Sequence, residues 1–143
     1  MSRLLVLFLP ALVFLPACDD GTGKGACTSA PFDRTFDVTT TCGGDHAGRI
    51  HVAFETAETS RTFTGPAIEQ LSGDLPLTAV GASGFCQDGS PVEWRYFYLQ
   101  FDTGGGKLAR CSLDVLYNLG ATVVCELPSV NESCTAKLVD APL

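Results

Sequence analysis

Positive charge is scarce in this chain: nine lysines and arginines stand against sixteen aspartates and glutamates, for a net charge of −7. Such a chain has no means of neutralising a phosphate backbone, so nucleic acid is excluded as a main partner. Histidine is limited to two residues, and no Cys-x-x-Cys pair occurs. The gap from His46 to His51 falls within the range of zinc modules, but the paired cysteines of such modules are missing. No metal and no cofactor is expected. Nowhere do apolar positions recur at spacings of three and four for three turns, which excludes long amphipathic helices. No run reaches the roughly twenty apolar residues that cross a bilayer as a helix, and no segment repeats. What remains is 143 residues, 45% of them hydrophobic. That suffices for one globular domain.

The richest apolar stretch lies at the N-terminus. Met1-Ser2-Arg3 supplies a short positive end, Leu4 to Leu15 an apolar run broken by Pro10, and Asp19-Asp20 restores charge. Its length and flanks fit a signal peptide rather than a membrane span. The run ends in Leu15-Pro16-Ala17-Cys18, and here the sequence resembles a bacterial lipoprotein leader. Such a lipobox has an aliphatic residue at −3, a small one at −1 and cysteine at +1; Pro16 departs from the usual −2 residue. The resemblance covers residues 1–18. It implies that 1–17 is a signal peptide, that a diacylglycerol joins the Cys18 thiol, and that a palmitate-type chain acylates the new amine. Each buried methylene adds about 0.8 kcal/mol, so several chains would hold the protein at the extracytoplasmic face of the cell envelope.

Residues 18–26 carry three glycines among small polar residues and read as a flexible tether. The domain proper is then 27–143. Seven cysteines are an awkward number for an exported protein. With Cys18 lipidated the remainder is even: Cys27, Cys42, Cys86, Cys111, Cys125 and Cys134 are the candidates for three disulfides in an oxidising compartment. Six cysteines allow 15 pairings, but hairpin symmetry narrows them. Cys111 and Cys125 flank the turn Tyr117 to Gly120, and Cys125 and Cys134 flank Pro128 to Glu132. One of those two pairs is expected, and they exclude each other.

From Cys27 onward the apolar pattern has period two, with turn residues at short intervals. Arg49 to Glu55 sets Ile50, Val52 and Phe54 on one face and His51 and Glu55 on the other. Ser60 to Thr64 is expected to fold back on that strand and bring Phe63 near Val52. Pro66 to Leu71 reads as one helical turn. Val92 to Asp102 is the strongest strand, followed by Leu108 to Val115, Ala121 to Leu127 and Cys134 to Val139. Along Leu108 to Val115, Ala109, Cys111 and Leu113 face inward and Arg110, Ser112 and Asp114 outward. Seven or eight short strands with frequent turns point to an all-β fold, a small antiparallel sandwich or barrel stapled by disulfides.

Few residues suggest chemistry. Phe101-Asp102-Thr103-Gly104 resembles the Asp-Thr-Gly segment of aspartic proteases, which would make Asp102 one carboxylate of a proton-sharing pair. Gln100 and Gly105 depart from that motif. The competing reading is a hairpin turn in which Asp-Thr-Gly-Gly-Gly supplies positive-φ positions. Gly81 to Phe85 approaches a nucleophile elbow at Ser83, but its second glycine falls one place early, and Ser90 lacks such a frame. Trp94, Tyr96 and Tyr98 alternate along the strongest strand and form either core or a possible binding face for a glycan or peptide. The expected protein is a lipid-anchored extracytoplasmic module that binds an unidentified protein or glycan or supports the envelope. A hydrolase centred on Asp102 and a secreted enzyme inhibitor are the alternatives.

Overall fold

A computed structural model of the chain describes residues 31–54, 62–64, 68–86, 89–128 and 131–142. The expected signal segment 1–17, the expected tether 18–26, Cys18 and Cys27 lie outside these residues. Among the described residues there are nine strands: β1 (Phe32–Thr40), β2 (His46–Phe54), β3 (Thr62–Thr64), β4 (Ile68–Gly73), β5 (Leu77–Phe85), β6 (Glu93–Gly104), β7 (Lys107–Asp114), β8 (Thr122–Glu126) and β9 (Ser133–Asp140). Every pairing is antiparallel, in the order β3-β5-β6-β7-β8-β9-β1-β2-β4. The all-β expectation holds, with no helix among the described residues.

Connection lengths show that this sheet curls on itself. β4 ends the strand order at one side and β5 stands next to the other end, yet only Asp74, Leu75 and Pro76 separate them. Four Cα steps reach at most about 14 Å, so the two ends of the sheet lie close together. The result is a nearly closed barrel with its seam between β3 and β4. Closure of this kind removes most of the exposed strand edge that invites aggregation.

The core fills the barrel from alternating positions. β1 points Phe32, Phe36 and Val38 inward, β2 points Ile50, Val52 and Phe54, and β6 points Phe97, Leu99 and Phe101. Phe36 and Phe32 meet Phe97 with ring centroids at 5.3 and 5.9 Å, which ties β1 to β6 across the interior. Offset and tilted aromatic pairs at this spacing add about 0.5–1.5 kcal/mol beyond the area they bury. Ala109, Cys111 and Leu113 complete the lining from β7, with the alternation read from the sequence.

Two local expectations are corrected. Phe63 registers with Ala82 of β5, not with β2, and Val52 registers with Ile68 of β4. β4 takes the free edge of β2, and β3 pairs with β5. The same pairing explains why residues 68–71 are extended rather than helical: ladder hydrogen bonds along β2 outweigh local helix preference. β1 and β5 were not singled out by periodicity. In β5 the run Gly81-Ala82-Ser83-Gly84 carries only small residues, which in the sheet allow close backbone approach.

The cysteines form two bridges among the described residues, Cys42–Cys134 and Cys111–Cys125. Cys86 is also disulfide-bonded. Bridges of this kind persist outside the reducing cytosol and mark a non-cytoplasmic protein. Among the described residues no helix is long and apolar enough to cross a membrane.

Candidate functional site

An aromatic groove lies on the outer face of β5, β6 and β7, next to a bulge in β6. Ser83 pairs with Tyr96, but Gly84 pairs with Trp94, so β6 carries one extra residue at Arg95. The extra residue reverses the in-out alternation on either side of it. Trp94 therefore turns to the core, stacked on Phe54 at 5.8 Å and edge-on to Phe32 at 5.4 Å. Tyr96 and Tyr98 face outward. The grouping of Trp94 with Tyr96 and Tyr98 as one binding face is corrected accordingly: two of the three share the outer face, and the tryptophan does not.

A groove of about 340 Å³ opens along these strands. Ser83 of β5, Tyr96 and Tyr98 of β6, Arg110, Ser112 and Asp114 of β7, and Asn118 of the following loop line it. Its depth follows from the ladder. Opposite Tyr98 stands Gly81 and opposite Tyr96 stands Ser83, so β5 supplies no bulk to cover one side of each ring. Tyr96 remains 55% exposed, whereas Tyr98 lies buried beneath the Arg110 guanidinium, 4.1 Å from its ring centroid. A guanidinium over a tyrosine face gains about 0.5–1 kcal/mol at an exposed site.

One end of the groove is held by Asp114. Its carboxylate accepts from Arg95 Nε at 3.3 Å and from the Leu116 amide at 3.0 Å. Its carbonyl accepts from the Asn118 amide at 2.7 Å, which fixes the loop that carries Tyr117 and Asn118. The bond to Asp114 pushes the Arg95 guanidinium up from its ordinary pKa. Arg95 also lies 5.5 Å from the Tyr117 ring and about 6 Å from those of Phe85 and Tyr96. These three rings are exposed, as is Leu116.

The other residues with chemical potential lie apart from this groove. Asp102 is exposed at the β6–β7 turn, and its Oδ1 accepts from the Gly104 amide at 2.8 Å. Gly105 and Gly106 form the two-residue turn with φ of 64° and 76°, as a type I′ hairpin requires. The depression beside Asp102 is lined by Gly43, Pro76, Leu77, Thr78, Thr103 and Gly104, with no second carboxylate among the described residues. His46 and His51 occupy β2 at odd separation in a regular ladder and so face opposite sides of the sheet. His46 Nε2 lies 3.2 Å from the Gly43 carbonyl, and His51 Nε2 lies 2.6 Å from Asp33 Oδ1. Ser83 sits in the groove and Ser90 in a separate depression beside Cys86 and Val92, with no histidine lining either.

Three sulfurs gather in the core. The Sγ atoms of Cys42, Cys111 and Cys125 lie within 4.8 Å of one another, but all three are engaged in disulfides. Arg110 and Asp114 are the groove residues that sequence reasoning passed over. Their outward alternation was readable; their placement beside the two tyrosines depends on the β6–β7 register. No family model, curated protein or solved structure matches the chain.

Proposed function

We propose that this chain is a lipid-anchored extracytoplasmic binding module, tethered through Cys18, whose ligand-contacting surface is the outer face of β5–β7 around Tyr96 and Tyr98. The observation that carries this reading is the groove itself. It places an exposed aromatic ring beside serine, arginine, asparagine and aspartate side chains on a sheet stapled by two disulfides. Small-ligand sites combine apolar or aromatic walls with a few polar groups that fix orientation, and rigid strands hold those groups in place. The engagement of Asp102 in turn chemistry supports the same reading over a hydrolase.

The test is retention of envelope material. Immobilised wild-type protein and its Tyr96→Ala variant are exposed to a detergent-solubilised envelope, and bound glycan and protein are compared. A component held by the wild type and lost from the variant is the expected result. Identical retention by both removes the groove as the binding surface.

A further inference from the structure

We propose that the groove takes a carboxylate-bearing saccharide, with Arg110 holding the carboxylate and Tyr96 the face of the sugar ring. This assignment rests on the binding-face reading above and narrows it to a ligand class. It starts from an imbalance among the arginines. Arg34 pairs with Asp140, Arg49 with Asp37 at 2.7 Å, and Arg95 with Asp114 at 3.3 Å. Arg110, the fourth described arginine, makes no ion pair and no hydrogen bond among the described residues.

A carboxylate is within register. Glu126 of β8 stands directly opposite Arg110 in the ladder, and cross-strand pairs of opposite charge ordinarily meet. The guanidinium instead lies over the Tyr98 ring, on the groove side. The guanidinium is held 4.1 Å over the ring and its N–H groups meet no hydrogen-bond acceptor among the described residues, so they are available for bidentate recognition of a carboxylate. In a chain of net charge −7, this cation, without an ion pair among the described residues, is a local point of complementarity for an anionic ligand.

The rest of the lining selects the class of anion. Ser83, Ser112 and Asn118 offer neutral donors and acceptors suited to sugar hydroxyls, and Tyr96 offers an exposed ring face. The Asp114 charge is already answered by Arg95. A peptide carboxyl terminus is usually captured by a backbone nest, whereas β5, β6 and β7, which carry most of this groove, are paired with one another in the sheet ladder.

The experiment is calorimetry on the full chain purified in detergent. The probes are trigalacturonate, the neutral trisaccharide of galactose, and a tripeptide with a free carboxyl terminus. Trigalacturonate is expected to bind about tenfold tighter than the neutral sugar, with the preference shrinking as salt is raised. Arg110→Gln, at an exposed position, is expected to keep the wild-type melting temperature and abolish the preference. Tyr96→Ala should weaken both sugars. Equal affinity for the two sugars, an unchanged preference in Arg110→Gln, tighter binding of the tripeptide, or no binding of trigalacturonate each overturns the assignment. The binding-face reading fails separately, when Tyr96→Ala retains the same envelope material as the wild type.

Discussion

Cys125 and Cys134 stand directly opposite each other on β8 and β9, yet each is bonded outward, Cys125 to Cys111 and Cys134 to Cys42. All four lie in one row across the sheet. The Arg110–Glu126 register carries over to Cys111 and Cys125, and the Thr40–Ala136 register extended by two residues reaches Cys42 and Cys134. The backbone selects the partners. In an antiparallel sheet a residue exchanges hydrogen bonds with one neighbouring strand and stands in the closer, non-bonded pairing with the other. The Thr41 amide bonds to the Thr135 carbonyl at 2.9 Å, so the next pair along, Cys42 and Cys134, is non-bonded. Cys134 must then be hydrogen-bonded to Cys125, which leaves Cys125 in the close pairing with Cys111. Their Cα separation of 4.2 Å, and that of 5.0 Å for Cys42 and Cys134, agree with this.

It follows that Cys125 and Cys134 should not bridge when left alone. In a Cys42→Ala/Cys111→Ala double variant, both remaining thiols are expected to stay free in the folded state. Mass mapping after alkylation under non-reducing conditions checks this. A Cys125–Cys134 bridge as the dominant product would show that ladder geometry does not govern the pairing.

The two bridges should differ in their contribution to stability. Their sequence separations are 92 and 14 residues. The chain-entropy model assigns about 4.6 kcal/mol to the longer loop and about 3 kcal/mol to the shorter. Replacing both Cys42 and Cys134 with alanine should therefore lower Tm further than replacing both Cys111 and Cys125. Thermal denaturation of the two double variants decides it; a reversed order would mean that core packing around the sulfurs outweighs the unfolded-state constraint.

The fold class and the inward positions of β2 and β7 were legible because burial on one face imposes period two directly. The disulfide partner of Cys125 was not. Cys111 and Cys134 are equally plausible from hairpin symmetry, and the choice depends on which pairing is hydrogen-bonded, a parity that composition does not encode. The groove was half legible for a similar reason. Tyr96 and Tyr98 announced themselves, but a single inserted residue at Arg95 sends Trp94 to the opposite face, and a bulge leaves no mark in an apolar alternation. Arg110 carried no signal: its register partner on β8 is Glu126, and only the side-chain conformation places its guanidinium over Tyr98 instead.

The proposed lipid anchor is tested at Cys18. A thioether-linked diacylglycerol supplies enough buried methylene to hold the domain at a bilayer. Cys18→Ala should accumulate as unprocessed precursor or leave the membrane fraction, while the wild type remains bound after a high-salt wash. Fractionation with labelling by a palmitate analogue reports both effects. Normal processing and membrane retention of Cys18→Ala would exclude lipid attachment at this residue.

Glycine and aspartate variants separate turn chemistry from catalysis at the β6–β7 hairpin. Gly73 and Gly104 both have positive φ, 81° and 100°, but their surroundings differ. A Cβ at Gly73 would run into the Ala47 carbonyl and Gly48 across the β2–β4 ladder, whereas one at Gly104 meets nothing within 4 Å. Gly104→Ala carries backbone strain alone, about 1–2 kcal/mol. Gly73→Ala adds an overpacking cost of about 1–3 kcal/mol because its neighbours are backbone and cannot rotate away. Asp102→Asn should have the smallest effect, since asparagine keeps an oxygen that can accept from the Gly104 amide. The expected order of Tm loss is Gly73→Ala, then Gly104→Ala, then Asp102→Asn. Hydrolysis of casein and of peptidoglycan should be measured on the same proteins. A robust turnover by the wild type that disappears in Asp102→Asn with Tm intact would make Asp102 a catalytic group and displace the binding-module reading.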